Sequence, residues 1–126
     1  MRNAQEGEAD YTTEEMEEML REALRLRCER LDVFFMIGLP GQTLASVRGT
    51  VDYCERLFQL GDARLSCYIS PMGPFLDPGS RGFEEPERFG YRLFARTLEE
   101  HRQLLLQPTW ERILNYETRW MTRREL

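Results

Sequence analysis

Apolar positions at Met16, Met19, Leu20, Ala23 and Leu24, continued by Arg27 to Leu31, recur at three- and four-residue spacing, while Glu14, Glu17, Glu18, Arg21 and Arg25 fill the other faces. This spacing predicts an amphipathic helix. Thr12 followed three places later by Glu15 has the pattern of a capping box, which sets the start of that helix. From Val33 the period changes. Val33 to Pro40 is an unbroken run of apolar or glycine residues, the pattern of a strand buried on both faces in a parallel sheet. Thr43 then caps a second helix carrying Leu44, Val47, Val51, Cys54, Leu57 and Phe58, and Gly61 with Asp62 supplies its stop. Ala63 to Ser70 predicts a second short strand. The order helix, strand, helix, strand implies neighbouring parallel strands joined by a crossover.

Beyond Ser70 the texture alters. Pro71, Pro74, Pro78 and Pro86 alternate with Gly73, Gly79, Gly82 and Gly90, which predicts a long ordered loop anchored by Phe75, Leu76, Phe83 and Phe89. The remaining pattern predicts two helices. One runs from about Pro86 to Leu106, and the other is opened by Pro108 and carries Trp110, Ile113, Leu114, Trp120 and Met121. Residues Met1 to Asp10 are polar, acidic and without period, as expected of a mobile leader.

With 126 residues the chain is one domain at most, well short of the roughly 250 residues of a complete (β/α)₈ barrel. Its formal charge of −5 opposes binding to a phosphate backbone, so no nucleic-acid partner is expected. All 17 basic residues are arginine, which excludes a Schiff-base lysine and a phosphate-loop lysine. No apolar run approaches about 20 residues and no signal-peptide core is present, so the expected setting is cytoplasmic, with no membrane partner.

Side-chain chemistry is sparse. Cys28, Cys54 and Cys67 lie 26 and 13 positions apart, without the short gaps of a zinc or iron-sulfur ligand set, so no metal ligand is expected in this chain. His101, inside a predicted helix, lacks the second histidine of a zinc helix and reads as an ordinary surface or half-buried residue. Ser70 and Ser80 lack a nucleophile elbow. Capping and solvation account for Asp77, Glu84, Glu85 and Glu87 in the loop.

The turn after the first predicted strand is more informative. Gly38-Leu39-Pro40-Gly41 is no phosphate cradle, since the third glycine is missing and Pro40 removes an amide donor. It offers instead an apolar shelf at Ile37 and Leu39 beside exposed main chain, suited to a planar ligand such as adenine. A tight turn that merely starts a helix fits the same residues, and local physics leaves both readings open.

Phe34 to Thr50 (FFMIGLPGQTLASVRGT), preceded by a capped helix and followed by the Ser70-Pro71 strand, resembles the fifth strand, its helix and the sixth strand of radical S-adenosylmethionine enzymes. In that family the strand typically ends Ile-Gly-Leu-Pro-Gly-Glu-Thr, so Gln42 stands where glutamate is commoner. Ile69-Ser70-Pro71, Pro74-Phe75-Leu76-Asp77-Pro78-Gly79-Ser80, Pro86-Glu87, Gly90-Tyr91, Thr97 to Arg102, Trp110 and Asn115-Tyr116-Glu117 are similar to the C-terminal portion of the subgroup with an N-terminal cobalamin-binding domain. The resemblance implies an α/β fold, the C-terminal fragment of a (β/α) TIM-type barrel with two parallel strands. It divides the chain into a leader at 1–11, a partial barrel at 12–85 and a C-terminal helical extension at 86–126. It also implies that Ile37, Gly38, Leu39, Pro40, Gly41 and Gln42 line the adenine of S-adenosylmethionine, that Ser70 and Pro71 touch its edge, and that Met72 to Gly82 face the substrate. The family's 4Fe-4S cluster is held by a Cys-x-x-x-Cys-x-x-Cys loop that this chain lacks, and cobalamin belongs to the whole protein if it is used. The implied partner is the missing N-terminal half of the barrel. Two other readings stand beside this one: an interaction module that pairs with a complementary half barrel or with a second copy, and a small α/β domain that binds an adenine-bearing ligand without chemistry.

Overall fold

The computed structural model describes residues 11–60, 63–71, 73 and 75–126, with ten short elements in chain order. These are α1 (Thr13–Arg25), β1 (Leu31–Ile37), α2 (Leu44–Phe58), β2 (Leu65–Pro71), α3 (Arg81–Glu84), α4 (Pro86–Phe89), β3 (Tyr91–Leu93), α5 (Leu98–Leu105), α6 (Trp110–Ile113) and β4 (Tyr116–Thr118). The fold is mixed α/β. β1 and β2 are neighbours in a small parallel sheet, and β3 and β4 form a separate two-stranded sheet. The predicted leader (Met1 to Asp10) and helix stop (Gly61 with Asp62) lie outside the described residues.

The chain divides into two compact units, Met1–Val33 with Asp52–Tyr68 and Phe34–Val51 with Ile69–Leu126. In the first, Thr12 and Glu15 form the capping box in full: Glu15 N–H donates to the Thr12 hydroxyl at 3.2 Å, and Thr12 N–H to the Glu15 carboxylate at 2.6 Å. The other end of α1 is closed by Arg27 in the left-handed region (φ 61°) and by the Arg64 guanidinium, which donates to the carbonyls of Cys28 at 2.7 Å and Leu24 at 3.0 Å. A cation placed there also complements the helix dipole. Leu20, Leu24, Tyr53, Cys54, Leu57 and Leu65 are the buried apolar residues of this unit.

The second unit has a core of Leu76, Phe83, Tyr91, Leu114 and Tyr116, with Phe89, Leu93 and Leu126 packed against it. From Phe75 onward the segment after β2 is tied to this core by the predicted anchors Leu76, Phe83 and Phe89. It also contains two helical turns, α3 capped by the Ser80 hydroxyl and α4 opened by Pro86.

Two expectations are corrected here. The helix predicted from about Pro86 to Leu106 is broken, because Gly90 adopts φ 75° and caps α4, with its N–H directed to the Glu87 and Pro86 carbonyls. A side chain at Gly90 would lie 2.7 Å from the Trp120 ring, so close packing as well as backbone conformation holds glycine there. The chain then enters β3, and a second capping box, Thr97 with Glu100, starts α5. The final predicted helix stops after the four residues of α6 and becomes β4, which pairs antiparallel with β3 in the register Tyr91 to Thr118, Arg92 to Glu117 and Leu93 to Tyr116. An Arg92–Glu117 ion pair at 3.2 Å crosses that ladder.

β1 also departs from its pattern. Phe34 and Met36 are 67% and 52% exposed, while Ile37 is buried, so the two faces of the strand are unequally buried. The run is continuous in hydrophobicity because both faces are apolar, yet the face of Ile37 is the more buried of the two.

Candidate functional site

The turn leaving β1 is built by its sequence. Gln42 N–H donates to the Leu39 carbonyl at 3.1 Å, closing a four-residue turn with Pro40 second and Gly41 third. Gly41 has φ 78°, and proline then glycine at those places is the signature of a type II turn. The Gln42 side chain completes the structure. Its Oε1 accepts from Leu39 N–H at 3.0 Å, and its Nε2 donates to the Met36 carbonyl at 3.0 Å. A carboxylate at this position keeps the first bond and loses the second. Gln42→Glu is therefore expected to lower stability by about 1 kcal/mol, read as a lower urea midpoint at unchanged slope. Thr43 caps α2, its hydroxyl accepting from Ser46 N–H at 3.3 Å.

The two glycines of the turn differ. At Gly38 (φ 88°) a Cβ would sit 2.9 Å from Tyr116 Oη, 3.1 Å from Tyr116 Cε2 and 3.3 Å from Leu126 Cδ2. The close approach that glycine permits there is made by the protein's own C-terminal segment, so that side of Gly38 is not available to a ligand. At Gly41 nothing lies within 4 Å of the same position. The accessible wall is thus narrower than the full run: Ile37 is buried, Leu39, Pro40 and Gln42 are half-buried, and Gly41 is open. Ser70 is exposed and Pro71 half-buried at the end of β2, the strand next to β1. Met72, the first residue of the expected substrate-facing loop, and Pro74 lie outside the described residues.

Behind the turn, Tyr116 meets Tyr91 edge to face at 5.7 Å, and burial, followed by the neighbouring Tyr116, pushes the Tyr91 phenol above its ordinary range. Tyr91 therefore stays neutral and serves as packing.

A polar cluster that sequence reasoning missed organises the loop. Asn115 is fully buried; its Oδ1 accepts from Leu76 N–H at 2.8 Å, and its Nδ2 donates to the Leu76 carbonyl at 3.1 Å and to His101 Nε2 at 2.8 Å. The Leu76 N–H can only donate, which fixes the orientation of the amide. His101 Nε2 is consequently an acceptor, and its proton resides on Nδ1, 2.8 Å from the Thr97 carbonyl. His101 is buried and stacks edge-on against Phe75 at 4.8 Å. Its role is to hold Asn115, and Asn115 holds Leu76. The residues that could have signalled this are the single histidine at the fourth position after the Thr97 cap and the asparagine between two buried apolar residues, Leu114 and Tyr116.

Other candidate chemistry is absorbed by structure. Glu84 accepts from Gly79 N–H at 3.0 Å, and Glu85 pairs with Arg88 at 2.9 Å, whose hydrogen bond and charge hold that carboxyl below its usual range. Burial raises the thiols of Cys54 and Cys67, the latter to about 11, which makes them poor nucleophiles and reluctant ligands. Among the described residues no group of three or more His, Cys, Asp or Glu side chains is placed to hold a metal ion, and no helix is long and apolar enough to cross a membrane. Among the described residues the three free cysteines do not form a 4Fe-4S ligand set.

Fold and turn together define a mixed α/β protein in which the turn leaving β1 presents open main chain at Gly41. No protein-family model, curated protein or solved structure matches the chain.

Proposed function

We propose that this chain is the C-terminal part of a radical S-adenosylmethionine enzyme, contributing two strands of a TIM-type barrel and the adenine-side wall of the cofactor pocket. The reading is carried by one observation: Gly41, with free space where a side chain would stand, follows β1, and Ser70 closes the adjacent strand β2, at the carboxyl edge where parallel α/β folds bind ligands. The ring of adenine rests on Leu39, Pro40 and Gly41, and Ser70 with Pro71 borders it through the main chain. Gln42 acts on the turn and not on the ligand, since both polar atoms of its amide are engaged. The iron chemistry and any cobalamin belong to residues outside this chain, which by itself is catalytically silent.

Equilibrium dialysis against S-adenosylmethionine tests the reading. Half a pocket binds weakly, with a dissociation constant in roughly the millimolar range. Gly41→Asn keeps the left-handed backbone, which asparagine tolerates, while filling the open space. It is expected to weaken binding by about tenfold, or 1.4 kcal/mol. Equal binding by the variant contradicts the site.

The exposed Phe34 and Met36 on β1 favour a second reading of the same fragment, as a module completed by a complementary half barrel. The two readings differ in whether S-adenosylmethionine binds in the absence of that partner.

A further inference from the structure

α2 carries an apolar stripe that the described residues leave partly exposed. Leu44, Val51 and Phe58 are 40%, 44% and 48% exposed, and they are separated by seven residues each, so they share one side of the helix from its first residue to its last. Arg48 and Glu55 follow the first two at four residues, are exposed, and border the stripe. Neither forms an ion pair with a described residue. A different side of α2 faces α1, through the Tyr53 hydroxyl and Glu17 at 3.2 Å.

The order of these residues is self-complementary under a two-fold axis through Val51. An antiparallel second α2 places Leu44 against Phe58 of the other copy, Val51 against Val51, and Arg48 beside Glu55 of the other copy, twice. A parallel two-fold arrangement instead puts the Arg48 and Glu55 of the two copies on opposite sides of the contact, where no such pair forms. Charge therefore selects both the occupant and its direction, and the contact is isologous, closing at two subunits. We infer that the α2 stripe is the interface of an antiparallel dimer of this chain, with Leu44, Val51 and Phe58 at its centre and reciprocal Arg48–Glu55 pairs at its rim. Such an interface is small, and the dimer it makes is weak and concentration-dependent. The inference is independent of the proposed nucleotide wall, because no residue of the stripe lies in the Ile37 to Gln42 turn or at Ser70 and Pro71.

Sedimentation equilibrium of the full chain, loaded from about 10 to 500 µM, reads the association directly. The expected result is a monomer–dimer equilibrium. Arg48→Glu puts two acidic pairs in the contact and weakens dimerisation by about tenfold or more, while Arg48→Glu combined with Glu55→Arg rebuilds both pairs and returns the constant to within about threefold of the parent. Circular dichroism of each variant checks that the helix content is retained; both positions are exposed, and the folded chain is expected to tolerate either. A monomer throughout the range overturns the inference. So do oligomers beyond two, a dimer indifferent to Arg48→Glu, and a double variant as weak as the single one.

Discussion

Asn115→Ala is expected to cost more stability than any other single substitution of a polar residue in the second unit, about 3–5 kcal/mol. The residue is wholly buried, and its removal leaves the N–H and carbonyl of Leu76 and the Nε2 of His101 without their partner in a site that water does not reach. Each buried group so orphaned costs about 1–3 kcal/mol, partly recovered as the cavity relaxes. Chemical denaturation followed by tryptophan fluorescence measures the loss. Limited proteolysis adds a local readout: the freed segment around Leu76 is expected to be cleaved earlier than in the parent. A loss below about 1 kcal/mol would show that Asn115 is not the clasp of the loop.

Gly38→Ala is the second large effect, at about 2–4 kcal/mol, with Gly41→Ala as its internal reference. Both glycines have positive φ, 88° and 78°, so both alanines carry the left-handed penalty of about 1–2 kcal/mol. Only at Gly38 does the new methyl also meet atoms, the nearest being Tyr116 Oη at 2.9 Å, while at Gly41 it meets none within 4 Å. The difference between the two variants therefore isolates the packing of Tyr116 and Leu126 against the strand end. Thermal melts of the pair check it, and equal destabilisation would contradict the contact.

The parts of the fold read correctly from the sequence are those where local chemistry and pattern agree. Thr12 with Glu15 starts α1, the apolar run before Gly38 ends β1, and Thr43 ahead of Leu44 starts α2, as the structure places them, whereas the helix expected to continue to Leu31 stops at Arg25, where Arg27 turns left-handed and β1 begins at Leu31. The C-terminal third differs because one helix was expected from about Pro86 to Leu106, across Gly90. The segment holds instead a helical turn, a three-residue strand and the eight-residue α5, and pieces as short as the first two are too brief for a period to tell apart. Gly90 and the Thr97–Glu100 box carry the correct signal, since one ends a helix and the other begins one. Long-range partners were out of reach. That Tyr116 lies against Gly38, and Asn115 against Leu76, follows from pairing between segments dozens of residues apart, which no local pattern encodes.

The candidate site was legible as a turn and not as a surface. Gly38, Pro40 and Gly41 mark a turn in the sequence and Thr43 a helix cap, and the structure makes the turn one closed by Gln42 N–H on the Leu39 carbonyl. Which glycine is open and which is sealed depends on the C-terminal segment, and the outcome narrows the proposed wall from the whole Ile37 to Gln42 run to its Leu39 to Gly41 portion.

The central proposal, an adenine wall formed by the β1 turn and the end of β2, is tested most directly by titrating S-adenosylmethionine into the ¹⁵N-labelled chain and following the backbone amides. The proposal predicts saturable shifts concentrated at Leu39, Gly41, Gln42 and Ser70, with Asn115 and His101 unmoved. Absence of shifts at those amides, or shifts confined to α5 and α6, would contradict it.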